Sequence, residues 1–294
     1  MLAPCVLAIV LLDRACAAPE PAGLRTASAA TPGAPAPGSS APPPYAAGAC
    51  QAQAPTGRSR GRTVVVDAGH GGPDPGVTGQ TTPGSPVRES TVALAVAAQL
   101  ARELRGDGYR VVLSRTADTP VRRFAPGEVT DGAMEAGQVR QDLQARVRCA
   151  NDARAAALLS IHFNGYDDPS AGGSQTIYDD ARPFSDDSLR LARAVQDALL
   201  QELKLADRGV ITDDALDAPT LSDRADEYGH LMLLGPAQAG WLDRGTTMPG
   251  VLVEPLFLTA PAEAAIATSG AGQRRIAHAL AAGVEHFLDG SAAR

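Results

Sequence analysis

Short apolar runs that lead into a possible metal ligand constrain the fold of this chain most strongly. One β-branched run leads into His70, a second apolar run into His162 and a third into Glu254. Such runs predict buried strands, and a strand that only had to pack would not need His or Glu at its carboxyl end. Helical patterns such as residues 89–105 separate the runs. The alternation predicts an α/β fold, a single domain with a mainly parallel twisted central sheet covered by helices on both faces.

The order of predicted elements brings these side chains to one place. In open α/β sheets, sites form beyond the carboxyl ends of the strands. We therefore expect His70, His162 and Glu254 to converge there, while Glu89 opens a helix after the first loop and can point back. The predicted strands are 63–68, 110–114, 157–161, 175–178, 231–234 and 250–253, the predicted helices are 89–105, 142–154, 186–203, 263–267 and 273–288, and 120–137 is a predicted loop.

The first part of the chain has the composition of an export leader and a tether. Residues 1–17 are apolar and end in Ala15-Cys16-Ala17, which predicts a signal peptide, with a lipid anchor on Cys16 left open. Residues 18–60 are rich in Pro, Ala and Gly and predict a disordered linker. The globular domain is then expected over residues 61–290. A disulfide between Cys50 and Cys149 is as compatible with the sequence as two free thiols.

The charge and the leader narrow the partners and the location. The formal net charge of −7 disfavours a nucleic-acid partner. After the leader, no run is apolar enough to cross a membrane. We expect a monomer that is secreted or associated with the cell envelope.

The four side chains suit hydrolysis assisted by a metal ion. Two His and one Glu are an established zinc set that leaves one coordination position open. His70, Glu89 and His162 supply that set, and Glu254 is the candidate general base. Asp67 is the candidate partner that fixes the ring tautomer of His70.

Other polar residues have plainer interpretations. We expect His230 to be exposed or packed rather than part of the site, although it could approach it. Arg115 and Arg146 are expected to form structural ion pairs. Asp213 and Asp214 are expected to be a solvated pair in a loop.

The chain resembles a known family over residues 62–288. Its matching motifs are Asp67–Gly72, Glu89 before a helix, Leu113-Ser114-Arg115 with Asp118, Arg146 followed by Ala150-Asn151, Ser160-Ile161-His162, Arg208-Gly209-Val210 and Pro249–Phe257. They are similar to those of the zinc-dependent N-acetylmuramoyl-L-alanine amidases of the amidase-3 type. The resemblance implies zinc on His70, Glu89 and His162, and catalysis by Glu254. It also implies cleavage of the amide between the muramic acid lactyl group and L-alanine of peptidoglycan.

The sequence departs from the family pattern after the last glutamate. Pro255 to Ala260 stand where the family has Gly-Phe-Leu-Ser-Asn. Two alternative functions remain open at this point, a zinc peptidase that cuts within the stem peptide and a non-catalytic module that binds the cell wall.

Overall fold

The folded part of the chain begins before residue 61. The computed structural model describes residues 45–82, 84–129, 133–216 and 225–292. The predicted signal peptide and residues 18–44 of the predicted linker lie outside the described residues.

The elements alternate between strands and helices along the chain. The strands are β1 (Ala49–Gln53), β2 (Thr63–Ala68), β3 (Thr78–Gln80), β4 (Pro86–Arg88), β5 (Arg110–Arg115), β6 (Ala157–Ile161), β7 (Ser174–Tyr178), β8 (Asp207–Thr212) and β9 (Gly250–Glu254). The helices are α1 (Glu89–Gly106), α2 (Ala136–Ala153), α3 (Ser185–Leu203), α4 (Ala225–Tyr228), α5 (Pro261–Thr268) and α6 (Gly270–Ala292), with a short 3-10 turn at Asp213–Ala215.

Seven strands form one mixed sheet in the order β1-β5-β2-β6-β9-β7-β8. The four central strands β5, β2, β6 and β9 are parallel to one another. The edges differ, because β1 is antiparallel to β5, and β7 is antiparallel to β9 but parallel to β8. The predicted mainly parallel α/β sheet is confirmed.

Alternate side chains of each central strand enter two different hydrophobic cores. Val64 and Val66 of β2 join the core on the face covered by α1, α3 and α6. Val65 joins the core on the opposite face, with α2 and the segment that contains Trp241. Burying each such side chain contributes roughly 1.5–3 kcal/mol. The continuous apolar runs in the sequence follow from this burial on both faces.

Helix α2 starts earlier than its apolar pattern predicts. It begins at Ala136, because Glu135 and Gln138 form a reciprocal capping box at its amino end. The predicted loop 120–137 is therefore too long by two residues.

The end of the predicted linker was assigned wrongly. Residues 45–60 belong to the folded unit, and β1 pairs with β5 as an edge strand. Its five residues are small or polar, so they carry no apolar run, and their order comes from pairing and from Cys50. The predicted strand 231–234 is also wrong, because these residues form turns.

Cys50 of β1 and Cys149 of α2 form a disulfide bond. The bond closes a loop with a sequence separation of 99, which restricts the unfolded chain.

Replacing both cysteines by serine should lower the free energy of unfolding by about 2–4 kcal/mol, as measured by urea denaturation. Reductant should destabilise the wild type equally and leave the double variant unchanged. Equal stability of the two proteins under oxidising conditions would contradict this prediction.

Among the described residues, no helix has both the length and the apolar composition that a membrane crossing requires.

Candidate metal centre

The register of the central strands places three predicted residues side by side. Ile161 of β6 is level with Ala68 of β2 and with Val253 of β9. His162 and Glu254 are therefore the next residues on adjacent strands, which lie about 4.8 Å apart. His70 follows the end of β2, where the amide of Gly69 donates to the carbonyl of Ile161 at 3.0 Å.

Three donor atoms face one another at this sheet edge. His162 Nδ1 is 3.1 Å from His70 Nε2 and 3.0 Å from Glu89 Oε1. His70 Nε2 is 3.1 Å from the same Glu89 oxygen. The structure thus brings together His70, Glu89 and His162, as the sequence predicts.

The Glu89 carboxylate is held from both sides by backbone amides. Its Oε1 accepts from Phe163 N at 2.9 Å, and its Oε2 accepts from Val77 N at 2.8 Å. Burial alone would raise the pKa of Glu89, but His70 and His162 offset this effect and hold the pKa well below its ordinary value. Glu89 is therefore a fixed, ionised carboxylate rather than a mobile surface charge.

Asp74, and not Asp67, orients the His70 ring. His70 Nδ1 lies 2.8 Å from Asp74 Oδ2, which leaves Nε2 to face the other donors. Burial alone would lower the pKa of His70, but Glu89 and Asp74 raise it to about 10. The predicted role of Asp67 is wrong, because its two oxygens accept from Arg146 and Ser160 at 2.7 Å each. Asp74 follows Gly72 and Pro73 in a loop, and no sequence period marks it.

Two buried arginines hold the turn that carries His70. Arg146 pairs with Asp67 and with Asp142 at 2.9 Å, and it donates to the carbonyls of Ala68 and His70.

Arg115 donates to the carbonyls of Ala68, Gly69 and Ser90 at 2.9, 2.8 and 2.6 Å. Burial and the charge of Arg146 lower the pKa of Arg115 to about 10. The predicted ion pairs therefore hold for Arg146, and Arg115 lies 3.9 Å from Asp118 while it binds mainly carbonyl oxygens.

Two glycines allow the ligands to approach one another. A Cβ atom at Gly69 would lie 2.5 Å from Cε1 of His162. At Gly76, whose φ is +64°, a Cβ would lie 2.5 Å from Oε2 of Glu89 and 2.6 Å from Cδ2 of His70. Any side chain at either position would displace a ligand.

The donor set fits a zinc ion. Zinc bonds of ~2.0–2.1 Å in a tetrahedron place ligand atoms roughly 3.3 Å apart, close to the separations of 3.0–3.1 Å seen here. Two imidazole nitrogens and one carboxylate oxygen are also the ligand types of catalytic zinc. Partial exposure of His70 and His162 leaves one side open to water.

Glu254 lies beside this centre with an altered acidity. Burial raises the pKa of Glu254 to about 8, and the nearby Glu89 carboxylate adds to the rise. The side chain of Asn164 and the charge of His70 oppose it. A carboxyl group with a pKa near neutrality can both accept and return a proton.

His230 lies outside this centre and is packed, as the sequence predicts, whereas Asp213 is not solvated. His230 lies 2.9 Å from Asp179 and 3.7 Å from Asp213 through its Nδ1, at the opposite edge of the sheet. Asp213 is fully buried, so the prediction of a solvated pair with Asp214 is wrong for Asp213.

Replacing Asp74 with asparagine should weaken zinc binding by about 10–100-fold. An amide has one oxygen, whereas the Asp74 carboxylate uses two, one for His70 and one for the amide of Gly76 at 3.0 Å. Competition with a chelating dye measures the affinity, and Asp168→Asn in an exposed loop is the control. An unchanged affinity in Asp74→Asn would remove Asp74 from the site.

Comparison with known protein families identifies the family of this chain. The sequence profile of Amidase_3, described as N-acetylmuramoyl-L-alanine amidase, matches residues 64–286. The chain belongs to the Amidase_3 family. The resemblance that the motifs indicate is thereby confirmed, and the matched residues include all four predicted site residues of this amidase family member.

Curated relatives in the family are similar at a moderate level. N-acetylmuramoyl-L-alanine amidase AmiC of Neisseria meningitidis serogroup B is 28% identical over 253 residues, which cover 80% of this chain and 55% of the relative. N-acetylmuramoyl-L-alanine amidase LytC of Bacillus subtilis is 30% identical over 204 residues, covering 69% and 31%. This Amidase_3 chain thus spans about half or less of these two relatives.

A solved amidase structure has the same fold. The CwlD amidase from Clostridioides difficile, solved in complex with the GerS lipoprotein, superposes with a TM-score of 0.60 at 25% identity. The match covers 78% of this chain and 98% of CwlD. The family fold therefore occupies nearly the whole described part of this Amidase_3 protein.

Proposed function

We propose that this protein is a zinc-dependent N-acetylmuramoyl-L-alanine amidase that acts on peptidoglycan. The bond cut is the amide between the lactyl group of N-acetylmuramic acid and L-alanine of the stem peptide. Membership of Amidase_3 supports the reaction and the substrate class. The observation that carries the proposal is the mutual approach of His70, Glu89 and His162 beside Glu254.

The proposal gives each of the four side chains one role. His70 Nε2, Glu89 Oε1 and His162 Nδ1 hold the zinc ion, and Asp74 keeps His70 in the tautomer that this requires. When bound, zinc polarises the scissile carbonyl and acidifies water. The backbone amides of Val77 and Phe163 hold Glu89 in place before substrate arrives.

Glu254 moves the proton in this mechanism. Its carboxylate accepts a proton from the attacking water and donates it to the nitrogen of L-alanine as the amide breaks. Burial favours the protonated form that must exist between these two events. The position of Glu254 on the strand next to the one that leads into His162 supports this role.

We place the action of the protein outside the cytoplasmic membrane. The substrate lies in the cell envelope, and the apolar leader at 1–17 and the linker over 18–44 are suited to export and reach. Within the proposal the folded part acts as a monomer.

Mass spectrometry of digested muropeptides tests the reaction. The expected products are a glycan fragment with a free lactyl carboxylate and a stem peptide with a free L-alanine amine. A new break between two amino acids would show the zinc peptidase instead. Binding to intact cell wall without any released product would show the non-catalytic module, and either result would overturn the amidase assignment.

A further inference from the structure

A second group of possible ligands lies far from the first along the strand direction. Asp179 directly follows β7, and Asp213 directly follows β8. Both strands run antiparallel to β9, so their carboxyl ends lie at the sheet edge opposite to Glu254. Gln175 is level with Glu254, and Asp179 lies roughly 13 Å further along β7 at ~3.3 Å per residue. The two groups are therefore separate sites.

His230 completes this second group from the loop that follows α4. Its Nδ1 is 2.9 Å from Asp179 Oδ2 and 3.7 Å from Asp213 Oδ1. One donor atom from each of the three residues lies within 4.8 Å of the others. The carboxylates are 2% and 0% exposed, whereas the His230 side chain is 22% exposed. Among the three residues, His230 is therefore the one that contacts solvent.

Each carboxylate uses one oxygen for the backbone and turns the other inward. Asp179 Oδ1 accepts from Ala181 N at 2.8 Å, and Asp213 Oδ2 accepts from Leu231 N at 2.8 Å. The remaining oxygens, Asp179 Oδ2 and Asp213 Oδ1, are buried and accept no hydrogen bond from the described residues. The distance from His230 to Asp179 would suit a hydrogen bond, but its direction does not.

Two inward-facing carboxylates are costly unless a positive charge joins them. Burial, followed by the charge of Asp179, raises the pKa of Asp213 to about 7. The charge of Asp179 acts on Arg182, but the Arg182 guanidinium donates to the carbonyls of Leu234, Gly235 and Thr246. Buried charges in proteins are paired or bind metal ions. The group therefore needs either a shared proton or a bound cation.

We propose that Asp179, Asp213 and His230 bind a second divalent transition-metal ion, for which zinc is the best fit. The imidazole disfavours Ca²⁺ and Mg²⁺, which take oxygen ligands. Two carboxylate oxygens and one nitrogen are ligands that Zn²⁺ accepts, and water on the exposed side of His230 can supply the fourth. The ion would tie the ends of β7 and β8 to the loop at His230, so its role is structural.

Metal stoichiometry of the full chain tests the second site. After chelation and equilibrium dialysis against Zn²⁺, the wild type should hold two ions per chain by elemental analysis. His230→Gln and Asp213→Asn should each hold one, His162→Ala should also hold one, and His162→Ala combined with His230→Gln should hold none. The proposal would be overturned if the wild type held one ion per chain, if His230→Gln kept that ion and if only His162→Ala lost it.

Thermal stability separates a bound ion from a shared proton. In the His162→Ala background, Zn²⁺ at 100 times its Kd should raise Tm by roughly 5–10 °C, and His230→Gln should abolish the rise. No response of His162→Ala to Zn²⁺ would overturn the proposal and favour the shared proton. Because this readout needs neither activity nor the first site, failure of the amidase assignment would leave it intact.

Discussion

Replacing Glu254 with glutamine is expected to lower kcat by about 10²–10⁴-fold while the chain keeps its active-site zinc. Gln has the shape of Glu but cannot accept the proton of the attacking water. The proposed metal ligands His70, Glu89 and His162 do not include Glu254, so the metal content of the purified variant should equal that of the wild type. Turnover of a defined muropeptide and elemental analysis of the same sample measure the two effects.

A second variant makes this prediction specific. His162→Ala removes a ligand, so it should lose the active-site ion and the activity together, whereas Glu254→Gln should lose the activity alone. Glu254→Asp retains a carboxylate but shortens the reach, and we expect partial activity from it. A Glu254→Gln variant with wild-type kcat would remove Glu254 from the mechanism, even if zinc and His162 remained essential.

The candidate site was predictable because its residues adjoin strong local patterns. His70, His162 and Glu254 each follow a buried strand, and Glu89 starts a helix with a clear apolar period. Strand direction then fixes where such residues meet. Asp74 could not be found in this way, because its role comes from the fold of an irregular loop, and Asp67 was the nearer acidic residue along the chain.

The edges of the sheet were less predictable than its centre. Strand β1 carries small or polar residues, and β8 has only two apolar residues, Val210 and Ile211, since an edge strand is only partly covered. Residues 231–234 form an apolar run that predicts a strand, but they are turns whose side chains pack into a core. The sequence did not predict the group of Asp179, Asp213 and His230, because Asp213 follows the edge strand β8 and His230 precedes the turn at residues 231–234.

Replacing Arg146 should lower the stability of the fold strongly. Replacing it with methionine keeps much of the volume but leaves the buried carboxylates of Asp67 and Asp142 without their cation. Breaking such a pair costs about 3–5 kcal/mol, a large share of a typical free energy of unfolding. Urea denaturation measures the loss, and Arg148→Met, exposed on the same helix, is the control, with an expected change within ~0.5 kcal/mol.

The loss in Arg146→Met should depend on pH in a defined direction. Burial alone would raise the pKa of Asp67, but Arg146 and Ser160 lower it below its ordinary value. Because the pKa of Asp67 is lower in the folded protein than in the unfolded chain, its carboxylate stabilises the fold at a pH above the unfolded pKa of ~4. This contribution is lost as the pH falls through the pKa of Asp67 in the folded protein. The difference in the free energy of unfolding between wild type and variant should therefore be largest at neutral pH and become smaller on acidification.

The same variant should also hold zinc more weakly, because Arg146 binds the carbonyl of His70. A destabilised variant with unchanged zinc affinity would show that Arg146 supports the fold without positioning His70.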